Sequence, residues 1–307
     1  MAHEISIVGE LNLDLLLYGL PQQLPMEREL LASGFEMTLG SSSAILAHNL
    51  ARLGSTVGFL TCVGQDPLGK IALEYVRDSA IDLSVVHPPR HVQTGVTFIL
   101  PHGKERHILT YPGAMLELSY ENLDWSFLKS ARHFHLSSLY LQRGLLPDAA
   151  RVFRELKAAG LTTSLDTNDD PEDRWEGLDE IFPHLDIFLP NLREACRITQ
   201  TSDGEQAMEA LARKVPVVVV KMGAEGARLR KGSWQISGPA QNVAVIDTVG
   251  AGDSFNAGFL NKYVQGADLE ECLRFGNRTA ALSTTAAGGV EAFRDPLRLK
   301  QWLETNP

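Results

Sequence analysis

Short apolar runs and longer segments with helical spacing take turns along most of this chain, which predicts strands alternating with helices. Residues 4–8 form an apolar run ending at Gly9 and predict a first central strand. Ala44, Leu46, Ala47, Leu50, Ala51 and Leu53 follow a helical period that stops at Gly54. A strand over 57–63 comes next, then a helix from Pro67 to Ala80, with Asp66 as its N-cap and proline at the first helical position. From Arg132 the order is regular. A strand over 133–137 leads to a helix over 145–159 ended by Gly160, and a strand over 161–166 to a helix around 175–182. A strand over 186–189 then runs into a helix opened by Pro190 and Asn191. Four consecutive valines within 216–221 mark a fully buried parallel strand. Helices over 269–287 and 296–303 close the chain.

Two stretches break this rhythm. Residues 15–37 mix apolar positions with Pro21, Pro25 and several charges, and predict irregular or short β structure, a flap. Residues 94–100 and 106–110 flank Pro101-His102-Gly103-Lys104-Glu105 and predict a hairpin. The expected architecture is a single α/β domain over 1–307: a central, mostly parallel sheet with helices on both faces, plus a small β lid near 11–39 and 92–111. Gly223-Ala224-Glu225-Gly226 predicts a second small hairpin after the valine strand.

The chemistry concentrates in residues 247–259, D-T-V-G-A-G-D-S-F-N-A-G-F. The apolar run 243–246 before it reads as a strand, and Phe255, Phe259, Leu260 and Tyr263 after it have helical spacing. A strand, a glycine turn and a helix start make a ready anion site, because unpaired N–H groups and the positive end of the helix dipole converge there. Asp253 is the odd member, since a carboxylate there repels a phosphate. Its two readings are a first-turn dipole partner and a base that takes the proton of a hydroxyl attacking that phosphate. The stretch matches neither the P-loop nor the dinucleotide pattern. Asn12 and Asp14 fall just past the first strand, where open α/β sheets bind ligands; turn and cap chemistry is the alternative. Gly40 and Ser41–Ser43 open a helix and offer a second amide-rich edge, or an N-cap. Asn191-x-x-Glu194 fits a capping box and equally a water-mediated Mg2+ contact.

Composition narrows the partners. With 307 residues, 44% of them hydrophobic, the chain buries an ample core, and its net charge of −10 argues against nucleic acid. Residues 1–10 lack a signal-peptide pattern and no run reaches the length of a membrane span, so a cytoplasmic protein without a membrane partner is expected. Cys62, Cys196 and Cys272 have no paired spacing and read as reduced thiols. The nine histidines form no metal or triad pattern and read as packing or exposed residues.

The 247–259 stretch resembles the signature of the ribokinase-like, or PfkB, carbohydrate kinases, and the resemblance runs nearly the whole chain. Gly9-x-x-Asn12-x-Asp14 is similar to the family's first substrate segment, and 40–54 to its glycine-led substrate helix. Val63-Gly64-Gln65-Asp66-Pro67-Leu68-Gly69, Thr94-Gly95 with the hairpin, Asp166-x-Asn168, Asn191-x-x-Glu194 and residues 220–226 resemble its further motifs, in order. The resemblance implies a ribokinase-like fold and an ATP- and Mg2+-dependent sugar kinase acting on a primary hydroxyl. Asp253 would be the general base, and the amides of Gly250, Ala251 and Gly252 the anion hole. Asn12, Asp14, Gly40 and Ser41 would meet the sugar. Arg106 in the hairpin reads as an exposed arginine, or as the partner of an acidic sugar's carboxylate. Asn191, Lys221, Gly223, Gly226 and Asn277 would meet the nucleotide, and Glu194 would hold Mg2+ through water. Asp247, Val249, Thr284, Ala287 and Gly289 would match ligands of a monovalent cation such as K+. Homodimerisation through the lid is also implied.

Ser41 stands where the family usually has a second glycine, and Ile45 where it has an asparagine. Ile45 has no group to exchange hydrogen bonds with a sugar, so the sugar contacts must differ. A nucleoside kinase is the alternative enzyme, with Phe35, Phe98 and Tyr111 of the lid as stacking candidates. A non-catalytic sugar or nucleotide sensor is the alternative from another class.

Overall fold

The computed structural model describes residues 2–102 and 105–305. Its larger sheet has nine strands in the order β13-β12-β11-β10-β9-β8-β1-β4-β5. These are β1 (His3–Glu10), β4 (Val57–Cys62), β5 (Asp82–Val86), β8 (Ala131–Ser137), β9 (Thr162–Asp166), β10 (Ile187–Phe188), β11 (Val217–Lys221), β12 (Ala227–Lys231) and β13 (Trp234–Gly238). The run from β5 to β11 is parallel throughout; β12 and β13 extend it antiparallel at one edge. The second sheet, β3-β2-β6-β7, is the lid: β2 (Leu13–Tyr18), β3 (Gly34–Leu39), β6 (Val96–His102) and β7 (Glu105–Tyr111).

Alternation along each buried strand sends side chains to opposite faces. Val217 and Val219 pack with Ile5, Ile7 and Phe59 against the helices Ser42–Arg52 and Ala251–Val264. Val218 and Val220 point the other way, into a core with Phe134, Leu165 and the helix Ala149–Ala158. A strand buried on both faces needs apolar residues at every position, which is why the valine run is continuous.

Several expectations change. Residues 243–246 form no strand: Val245 and Ile246 are exposed, and the Ile246 N–H donates to the Thr284 carbonyl at 2.8 Å. The helix expected around 175–182 shrinks to Leu178–Ile181. Asp170 explains this, because its carboxylate accepts from the N–H groups of Glu172, Arg174 and Trp175 and holds the backbone in a competing turn. The edge strand β5 and the helix Gly204–Ala212 were not anticipated. Asp14 lies inside lid strand β2, not in a loop past β1. The two lid strands of the expected hairpin pair from Val96↔Tyr111 to His102↔Glu105, while Gly103 and Lys104 at its tip lie outside the described residues.

Candidate active site

Glu10, Ser137, Asp166 and Lys221 are the last residues of β1, β8, β9 and β11, so four polar side chains gather at one end of the parallel strands. That is the ligand-binding end of an open α/β sheet. The helix Ala251–Val264 begins beside them, with Gly250 as its N-cap at φ 70°. A side chain on Gly250 would come 2.5 Å from Gly289 Cα, so the turn needs glycine for both its dihedral and its contact. The Ala251 N–H already donates to the Thr248 carbonyl at 3.3 Å, which leaves the first-turn amides around it to face an anion.

Asp253 sits in that first turn and is buried. Burial first, and the charge of Asp166 second, push its pKa up to about 6, against the pull of Lys221 and of hydrogen bonds with Ser42 and Asn168. A buried carboxyl poised near neutrality suits a general base better than a dipole partner. Asn168, at φ 52°, braces this corner: its Nδ2 donates to Ser42 Oγ at 2.9 Å, and its Oδ1 accepts from the Ser138 N–H at 2.9 Å.

Asn12 and Asp14 line the opposite wall, and glycines make room for both. A side chain on Gly40 would overlap Asp14 Oδ1, and one on Gly95 would overlap Asn12 Oδ1. Burial drives Asp14 up to about 7, helped by Asp253 and then Asp247, and opposed by Arg106. Arg106 reaches over from β7 and donates to Thr248 Oγ1 at 3.2 Å. Lid residues Leu16 and Ile99 pack on Val249, which fixes the inner face of the lid against the glycine turn. Ser41 takes φ 72°, an angle glycine favours, and its Oγ accepts from the Asn12 N–H at 2.9 Å. Ile45 is buried against Gly250 and Gly289, as a core residue packed on the turn.

On the far side, Asn191 and Glu194 form a capping box at the helix Leu192–Thr199, with both Glu194 oxygens engaged by Asn191. Burial, then Asp166, raises Glu194 to about 7. Lys221 pairs backbone to backbone with Asn191 and places its ammonium on Asp166. Gly223 and Gly226 follow at positive φ, and a side chain on Gly226 would overlap the Gly238 carbonyl. Asn277 donates to that carbonyl at 2.9 Å and ties the helix Leu269–Ser283 to β13. Asp247 joins two loops through the N–H groups of Val249 (3.0 Å) and Gly288 (2.8 Å). Thr284 accepts from Ile246, and Gly289 from Asn49, both through their carbonyls. Ala287 lies in the same loop, one residue before Gly288.

A glycine-led helix start, a buried carboxyl, a polar wall under a lid and a cation at a strand end thus share one edge of the sheet. The pfkB family carbohydrate kinase model matches residues 2–295. The chain belongs to this family. It is therefore a phosphotransferase with an alcohol acceptor, built on the ribokinase fold. An uncharacterised sugar kinase of Archaeoglobus fulgidus is 31% identical over 246 residues, 79% of this chain and 96% of that one. The structure of Arabidopsis thaliana ribokinase complexed with ribose and ATP superposes with a TM-score of 0.83 at 26% identity, covering 99% of each chain. Adenosine kinase from Sinorhizobium meliloti, at 23% identity and TM-score 0.85, covers 98% of this chain and 100% of its own and shares the fold.

Some members of the kinase's site escaped sequence reasoning. Glu10 accepts from the Ser43 N–H (3.3 Å) and hydroxyl (2.8 Å), capping the helix Ser42–Arg52, and burial raises its pKa to about 7. Gln142 donates to the Ser137 carbonyl at 2.6 Å and reaches Glu10 at 3.4 Å. Asn256 donates to Asp166. A polar residue three places after Asp253 on one helix face was the available signal for Asn256. Among the described residues no helix is long and apolar enough to cross a membrane.

Proposed function

We propose that this family member is an ATP-dependent kinase for a small carbohydrate, acting as one unit with its lid. The observation that carries the reading is Asp253, a buried base between an amide-lined helix start and the Asn12–Asp14 wall. The primary hydroxyl of the sugar gives its proton to Asp253 as its oxygen bonds to the γ-phosphorus, and the bond to the ADP oxygen breaks. Amides of the Gly250–Ala251–Gly252 turn, chiefly those of Gly250 and Gly252 because Ala251 already donates to Thr248, stabilise the phosphoryl oxygens from fixed positions, which costs no reorganisation during the step. Asn12, Asp14, Gly40 and Ser41 orient the remaining hydroxyls, with Arg106 above them. Asn191, Lys221, Gly223, Gly226 and Asn277 line the nucleotide.

The Asn191–Glu194 box fits Mg2+ held through water, since Asn191 already occupies both carboxylate oxygens of Glu194. When bound there with the nucleotide, Mg2+ supplies neutralising charge. A K+ ion belongs to the proposal through Asp247, Val249 and Ala287. Thr284 and Gly289 contribute less, because their carbonyls already accept protein donors.

Lid register favours a sugar over a nucleoside. Asp14 pairs with Thr38 and Thr97, whereas Phe35 pairs with Leu17, Phe98 with Leu15, and Tyr111 with Val96. The three aromatics thus stand on the face opposite Asp14, away from the site, and offer no stacking platform there. That outer face, apolar and exposed, supports a homodimer formed through the lid. Free Cys62, Cys196 and Cys272 and a need for ATP suit the cytoplasm.

The deciding experiment is coupled ADP release over pentoses, ketoses, 2-keto-3-deoxy sugar acids and nucleosides, each with K+ or Na+. ADP release with a sugar is expected. Turnover confined to nucleosides, or none with any acceptor, overturns the reading, and equal rates in K+ and Na+ remove the monovalent ion from it.

A further inference from the structure

The site is acidic where it must accept a polyphosphate. Asp166 is fully buried, Asp253 and Glu194 nearly so, and all three act on the single ammonium of Lys221. Lys221 ends β11 between two helix starts, at Leu192 and Ala251. A cation there faces the positive ends of both dipoles, and the three carboxylates offset that. Burial also disfavours its charge, yet the three carboxylates outweigh that and keep the lysine protonated. Its ammonium lies against the anion-hole turn: a side chain on Gly252 would stand 3.6 Å from Lys221 Nζ. Asp166 holds it there, and Asn256 donates to the same Asp166 oxygen from the helix that carries Asp253. A buried ion pair of this kind contributes little net stability, so stability alone does not explain it.

We infer that Lys221 is a catalytic residue whose ammonium contacts the transferring phosphoryl group, with Asp166 and Asn256 as its positioning residues. This rests on the kinase reading above and assigns it a further cation. As the sugar oxygen bonds to phosphorus and the bond to ADP breaks, Lys221 donates hydrogen bonds to non-bridging oxygens of the phosphoryl group. It neither gains nor loses a proton; the hydroxyl proton goes to Asp253. A lysine acting on the developing charge affects turnover more than ground-state nucleotide binding.

The test compares wild type with Lys221→Met, and with Lys221→Thr as the second variant should the first fail to fold. Each is assayed with the sugar that wild type turns over fastest. Measurements are kcat, the Kd of Mg2+–AMP-PNP, and inhibition by ADP with aluminium fluoride, which mimics the phosphoryl group in flight. The expected result is a kcat loss of at least 100-fold, a smaller fall in AMP-PNP affinity of less than 10-fold, and loss of fluoroaluminate inhibition. Asp166→Asn should lower kcat in the same direction. A kcat within threefold of wild type overturns the inference, as does a fall in AMP-PNP affinity that accounts for the whole effect. Wild type with no acceptor at all would instead sink the kinase reading, so the two failures are distinct.

Discussion

At the scale of single residues, the site is a set of carboxyls held away from their ordinary ionisation. As the proposed base Asp253 must be deprotonated to act, and its pKa of about 6 means kcat/KM climbs with pH through about 6 and levels above it. A pH–rate profile checks this, and a flat profile from pH 5 to 8 would remove Asp253 as the base. Asp253→Asn should keep nucleotide binding and lower kcat by about 100- to 10,000-fold, measured by ADP release and AMP-PNP titration. Asp14 carries a second consequence. Its folded pKa is raised from 3.8 to about 7, so protons favour the fold: the stability it contributes is complete below about pH 4 and lost as pH rises through about 7. Asp14→Asn should therefore stabilise the ligand-free protein at pH 8 by about 1–3 kcal/mol while weakening sugar binding. Thermal melts at pH 5 and pH 8 read this directly, with the larger gain at the higher pH. Aspartate at both positions was legible in the sequence as candidate chemistry. Their altered acidity was not, because burial depends on what packs above them.

At the scale of elements, the glycine turn and the helix it starts decide the geometry. Gly250→Ala adds a Cβ at φ 70° and against Gly289, and should cost about 2–4 kcal/mol and most of the activity. A melting curve within 1 °C of wild type would contradict this. The glycine pattern announced the turn from sequence, since few other residues adopt that angle. The preceding apolar run misled, because periodicity over four residues cannot separate a strand from an extended segment. Residues 243–246 run exposed beside the Thr284 loop instead. The shortened helix at 178–181 has the same lesson: Asp170 offers the backbone a local alternative that helical spacing does not record.

At the scale of the whole molecule, the lid has two unlike faces. Asp14, Leu16, Thr97, Ile99 and Arg106 line one, above the site. Leu15, Leu17, Phe35, Met37, Phe98 and Leu109 line the other, with Phe35, Phe98 and Leu109 exposed. An exposed apolar sheet face of this kind is what the proposed lid-to-lid dimer would cover. Light scattering checks this: the proposed dimer is expected for wild type and a monomer for Phe98→Glu with Leu109→Glu, and a monomeric wild type would refute the lid contact.

By itself the sequence determined the α/β order, the glycine turn with its aspartate, and the β lid, since each depends on neighbours within a few positions or on a periodic pattern. Tertiary structure alone decided that Ile45 is a core residue packed on the turn, that Glu10, Gln142 and Asn256 belong to the site, and that the lid aromatics face outward. It also set Asp166, Lys221, Glu194 and Asp253 around one point. These four come from strand ends and helix starts distant in the chain, and only the parallel sheet, which brings its carboxyl ends to one edge, makes them neighbours.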